Sequence, residues 1–110
     1  MQHKVRKLLL DIQLSCKEIS EFTEGLSYED FLEDRKLQLA IERTFEILGE
    51  APARLERIDA KELETKIPEY RQIIGFRNLL AHGYDVIDQA SLWDFAKNRV
   101  PELQDKIENY

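Results

Sequence analysis

The feature that most constrains this chain is the return of apolar side chains every three or four residues. Val5, Leu8, Leu9, Ile12, Cys16, Ile19 and Phe22 keep that step. A helix turns once in about 3.6 residues, so the step gathers these side chains into one stripe, whereas a strand would scatter them over both faces. A helix is therefore predicted over roughly residues 4 to 24, with Gly25 as its C-cap. The step returns in Leu37, Ala40, Ile41, Thr44, Phe45, Leu48 and Ala51, and Leu55 and Ile58 extend it. Tyr70, Ile73, Ile74, Arg77, Leu80 and Ala81 mark a third long helix.

The punctuation fits the same picture. Ser27-Tyr28-Glu29-Asp30 reads as a capping-box variant that opens a short turn of helix through Phe31 and Leu32. Gly49 inside the second long helix costs about 1 kcal/mol against Ala, which a close helix–helix approach would explain. Pro52 clashes with the carbonyl of Leu48, so a kink or break is expected there. Residues 59 to 67 are charged and poorly periodic, as in a connecting turn or short helix. Pro68 suits a first helical turn, and Gly83 suits a C-cap. Ser91-Leu92-Trp93-Asp94 reads as another capping-box variant opening a last helix, which Pro101 would kink. The expected fold is all-α: an up-down bundle of four to five helices, as one domain over residues 1–110.

Charge and composition then narrow the function. The 110 residues carry a formal net charge of −6, which argues against broad, charge-driven coating of nucleic acid but leaves room for a local basic site. Lys4, Arg6 and Lys7 before Leu8-Leu9-Leu10 resemble a signal sequence briefly, but Asp11 ends the apolar run. With no run of about 18 apolar residues, the expectation is a cytoplasmic protein without a membrane span. Cys16 has no cysteine to pair with and sits in an apolar stripe, as a small buried hydrophobe would. A single modest core makes pairing with another chain plausible.

Few residues are candidates for chemistry. One Cys and two His cannot build a zinc site with the usual spacing, and neither a Gly-rich phosphate loop nor a nucleophile elbow is present. No metal or other cofactor is expected. His3 lies near the terminus and is given no role. What remains is Arg77-Asn78-Leu79-Leu80-Ala81-His82-Gly83-Tyr84. Taken singly, His82 reads as a surface or structural group, Arg77 as the partner of a nearby Glu, and Tyr84 as packing.

Taken together, Arg, four residues, His, one residue and Tyr resemble the motif of HEPN-domain ribonucleases, and the nearest branch is that of the HepT-like toxins. The likeness extends to Leu9-Leu10-Asp11-Ile12, Tyr28-Glu29-Asp30-Phe31-Leu32, Ile47-Leu48-Gly49-Glu50-Ala51, Gly75-Phe76 and Trp93, nearly the whole chain. Pro52 departs from the family pattern, which continues the helix. The resemblance implies a HEPN-like bundle forming a C2 homodimer, with Arg77 and His82 catalytic. It also implies an RNA substrate and a minimal nucleotidyltransferase antitoxin as partner, which transfers AMP units to Tyr84.

The residue types suit such a reaction. RNA carries its own nucleophile, the 2′-OH, so a metal-free nuclease needs proton transfers and a cation. Histidine, with an ordinary pKa of about 6.5, performs the first, and the fixed fork of arginine performs the second. Five residues at about 100° each put positions 77 and 82 about 140° apart around an ideal helix. Convergence requires the helix to end near Ala81 so that His82 can swing out. One His per chain supplies either the acid or the base, and a C2 dimer would supply both. Asn78 either serves the site, by orienting His82 or binding a phosphate oxygen, or caps local backbone. Tyr84 is either the modified residue or packing. Lys4, Arg6, Arg35, Lys36 and Arg43 are candidate basic helpers. Two other readings stay open: a non-catalytic helical adaptor that binds and regulates a nucleotidyltransferase, and an inert helical dimer.

Overall fold

The computed structural model of the protein describes the backbone of residues 2–82 and 88–108, and the side chains of these except residues 2, 76, 79–82 and 108. Most of the described residues are helical, with no strand among them. Helix α1 spans Gln2–Thr23, the short α2 Tyr28–Leu32, α3 Arg35–Lys66 and α4 Tyr70–His82. Helix α5, Gln89–Asp94, passes through a π-helical turn, Phe95–Arg99, into α6, Val100–Glu108.

Local chemistry sets several boundaries where they were expected. Gly25 follows α1 with φ +73°, a left-handed conformation that costs glycine nothing. Ser27 caps α2: the Asp30 N–H donates to its hydroxyl at 3.2 Å, and its own N–H donates to the Asp30 carboxylate at 2.9 Å.

Four expectations are corrected. Pro52 does not break α3; the departure from helical backbone comes at Asp59, with φ −154° and ψ 80°. The fixed φ of proline is itself helical, so the helix can continue through the ring at the cost of one hydrogen bond. Leu48, Ala51, Pro52 and Leu55 are all buried, so core packing supports that stretch as helix. Asp59 instead offers its carboxylate to the Glu62 N–H at 3.1 Å, competing with the helix for its own backbone. Ser91 does not open the last helix. Asp88 does, accepting from the Ala90 and Ser91 N–H groups at 3.0 and 3.4 Å and from the Ser91 hydroxyl at 2.8 Å. A carboxylate can take all three donors at a positive helix start, which a hydroxyl cannot. Pro68 stands in the turn ahead of α4, whose first residue is Tyr70, and not in its first turn. Finally, the irregularity near Pro101 is a π turn rather than a simple kink: the Val100 N–H reaches back to the Phe95 carbonyl. The wider turn accommodates a ring that would press on the carbonyl four residues before it.

The helices pack around one core. Helix α1 lies against α3 and α6, and α4 lies against α3. Ile12, Cys16 and Ile19 of α1 meet Ile41, Phe45, Leu48 and Leu55 of α3, with Val100, Leu103 and Ile107 of α6 in the same cluster. Each such side chain contributes about 1.5–3 kcal/mol through burial. Phe45 meets Phe95 edge-on at 5.2 Å, and Phe31 packs on Trp93 at 5.1 Å, tying the α5–α6 segment to α3 and α2. Cys16 is buried as expected, and burial pushes its thiol pKa up to about 12.

Gly49 fulfils its expected role. A Cβ there would collide with the Cβ of Arg77 and lie 2.6 Å from its Cγ. Helices α3 and α4 therefore meet at the separation that a hydrogen atom allows and a methyl group does not.

Candidate functional site

That crossing builds the candidate site. The stem of Arg77 rests on α3 at Gly49, and its guanidinium extends to the next residue of that helix, Glu50. Nη2 of Arg77 stands 3.2 Å from Oε2 of Glu50. The other oxygen, Oε1, accepts a hydrogen bond from Nε of Arg54 at 2.9 Å. One carboxylate thus serves two arginines. The Arg77 side chain is 22% exposed, and its Nε is buried without a hydrogen-bond partner.

These groups line a groove of about 440 Å³. Its walls come from Leu8 and Asp11 of α1, from Arg43, Glu46, Ile47, Glu50, Ala51 and Arg54 of α3, and from Arg77 of α4. Acidic and basic side chains are mixed along it. Asp11 pairs with Lys7 and Glu46 with Arg43, each at 3.0 Å. In the same lining, two arginines share one glutamate.

Of the residues singled out from sequence, Arg77 lies in this groove and Asn78 is exposed beside it in the chain. His82 is the last residue of α4, so it belongs to the same unbroken helix as Arg77. The helix thus ends within one residue of Ala81, near the expected end. The side chain of His82, and the whole of Gly83 and Tyr84, lie outside the described residues. Among the basic helpers, Arg43 lines the groove; Lys4, Arg6, Arg35 and Lys36 are exposed away from its lining. Glu50 and Arg54 were not predicted to take part. Their four-residue spacing was visible, but such pairs are ordinary on a solvated helix face. The distinguishing clue was Gly49, whose partner across the crossing is a matter of tertiary packing.

Among the described residues, no three His, Cys, Asp or Glu side chains are grouped to hold a metal ion. Among the same residues, no helix is long and apolar enough to cross a membrane.

Fold and groove define a class: an all-α bundle in which one helix brings an arginine to a charged groove and ends on a histidine. Comparison with known proteins takes the next step. The model of the Ribonuclease HepT-like family matches residues 12–110, and the chain belongs to that family. It is 34% identical over 104 residues to a candidate RNase of Methanocaldococcus jannaschii, an alignment spanning 94% of each chain. It is 37% identical over 108 residues to a protein of Thermococcus cleftensis named as a probable ribonuclease HepT, spanning 98% of this chain and 96% of that one. A candidate RNase of Caldanaerobacter subterraneus is 32% identical over 102 residues, 93% of this chain and 89% of the relative. No solved structure matches. The resemblance read from Arg77 to Tyr84 and its flanking segments is borne out at the level of the family, and with it the enzyme class of ribonuclease.

Proposed function

We propose that this chain is a metal-independent endoribonuclease, the toxin of a toxin–antitoxin pair, acting in the cytoplasm as one domain over residues 1–110. The observation that carries the reading is Arg77: a partly exposed guanidinium that lines a groove of charged side chains. Arginine donors of this kind match the oxygens of a phosphodiester.

In the proposed reaction, a neutral imidazole of His82 takes the proton of the ribose 2′-OH. The 2′ oxygen attacks the adjacent phosphorus. Arg77 stabilises the charge that gathers on the non-bridging oxygens. The bond to the 5′ oxygen breaks, and that oxygen takes a proton from a protonated imidazole, leaving a 2′,3′-cyclic phosphate and a 5′-OH. Acid and base are both needed, so two copies of His82 face one another across the axis of a C2 homodimer. Asn78 orients the imidazole or holds a phosphate oxygen. A nucleotidyltransferase antitoxin silences the enzyme by adding AMP units to Tyr84, where the added phosphates repel RNA. A net charge of −6 suits an enzyme that accepts a limited set of RNAs.

The test is incubation of RNA with wild type and His82→Ala in EDTA, with analysis of the 3′ ends. Cyclic phosphate ends are expected with wild type alone, and the variant is expected to keep its helical circular dichroism. Cleavage that survives the substitution, or wild-type protein that leaves RNA intact, overturns the reading.

A further inference from the structure

We propose that Arg54 is a second phosphate-holding residue of this groove, working beside Arg77 on the same RNA strand. The inference rests on the ribonuclease reading above and extends it to a residue outside the Arg77–Tyr84 motif.

The charge pairing of the groove points to it. Asp11 and Glu46 each have their own cation. Glu50 is shared, Oε1 with Arg54 and Oε2 with Arg77. That cluster of two cations and one anion carries one surplus positive charge, the complement of the single negative charge on a phosphodiester. Two guanidiniums on the two oxygens of one carboxylate stand close enough to serve the same phosphate. Neither has exhausted its donors among the described residues. The hydrogen bond of Arg54 to Glu50 runs through Nε alone, and the contact of Arg77 with Glu50 is a charge contact through Nη2. An arginine carries five N–H donors, so both forks can still accept an anion. The Arg54 side chain is 63% exposed, so a strand can reach it without rearranging the core.

Helix periodicity gives the path of the strand. Arg43, Ile47, Glu50 and Arg54 follow one another at four, three and four residues, along a single face of α3. RNA lying along that face meets Arg54 beside Arg77. Glu50, between the two, is the positioning residue that holds both forks toward the groove.

The test uses a single-stranded RNA blocked with 2′-O-methyl groups for binding, and the unmodified strand for cleavage. Binding by fluorescence anisotropy is measured over a series of salt concentrations for wild type, Arg54→Gln, Arg54→Lys and Arg57→Gln. Arg57 is an exposed arginine of the same helix that does not line the groove. Arg54→Gln is expected to raise Kd about 10-fold, the loss of one charge-assisted phosphate contact. The slope of log K against log salt should become shallower by about 0.7, one single-strand phosphate contact. In cleavage the loss falls on KM more than on kcat. Arg54→Lys should restore the slope but only part of the affinity, because it keeps the charge and lacks the fork. Arg57→Gln should change neither. An unchanged Kd and slope for Arg54→Gln in a protein whose wild type cuts RNA overturns the role of Arg54 alone. An Arg57→Gln effect equal to that of Arg54→Gln overturns it as well, by reducing it to general charge. Binding that depends on Arg54 in a protein that never cuts RNA overturns the nuclease reading and leaves the phosphate contact standing.

Discussion

Replacing Gly49 by Ala opposes two effects whose balance the geometry decides. Helix propensity alone favours the alanine by about 1 kcal/mol, because glycine surrenders more backbone freedom on entering a helix. The new methyl carbon, however, would overlap the Cβ of Arg77 and stand 2.6 Å from its Cγ, with the Ile73 carbonyl oxygen at 3.4 Å. These stem atoms are tied to the backbone of α4, so no rotation about an outer bond clears them. Helix α4 has to move off α3. Overpacking of this kind costs about 1–3 kcal/mol. The backbone shift also loosens contacts of α4 with the core, so the net expectation is a loss of about 1–2 kcal/mol. For a domain of this size the melting temperature should fall by roughly 5–10 °C. The assay is urea unfolding followed by far-ultraviolet circular dichroism, with the transition slope checked for constancy. Because Arg77 is carried away from Glu50, RNA cleavage should weaken by more than the unfolded fraction explains. A variant as stable as wild type, or more stable, would refute the claim that α3 and α4 meet at this residue.

Three further outcomes follow from the core and the caps. Cys16 should resist thiol reagents in the native protein, labelling only at the rate of unfolding; rapid stoichiometric labelling would contradict its burial. Its thiol begins from an ordinary value of 9.0 and is raised to about 12 by burial. The unfolded chain therefore loses that proton first, so stability is unaffected below pH 9 and falls as the pH rises from 9 toward 12. Cys16→Ala should show a smaller alkaline loss than wild type in denaturant titrations. Ser27→Ala removes one half of the capping box at α2 and should lower stability by about 1 kcal/mol, while Ser27→Asp, which keeps an acceptor, should recover most of it. Equal stability of the alanine and aspartate variants would show that the cap contributes nothing.

How much of this molecule could be read from the chain depends on the range of the interaction involved. Helix α1 and the Ser27–Asp30 box depend on residues within a few positions of one another, and both stand where the periodicity and side-chain chemistry require. Expectations failed where two local preferences competed. The ring of Pro52 is compatible with helical φ, and burial supported α3 as helix there; the backbone leaves the helical region at Asp59 instead, where the carboxylate caps the Glu62 N–H. Ser91 and Asp88 are both good caps, and the one with two acceptor oxygens took the position.

The motif from Arg77 to Tyr84, and with it the family, was legible without coordinates because its members lie on one short stretch of chain. The sequence by itself determined a set of amphipathic helices and the identity of the arginine and histidine that α4 carries. Only the tertiary structure decided what surrounds that arginine. Glu50 and Arg54 lie more than twenty residues before Arg77, and they reach it because Gly49 lets α3 and α4 approach to backbone distance. Periodicity reports which face of a helix is buried; it carries no information about which residue of another helix arrives there.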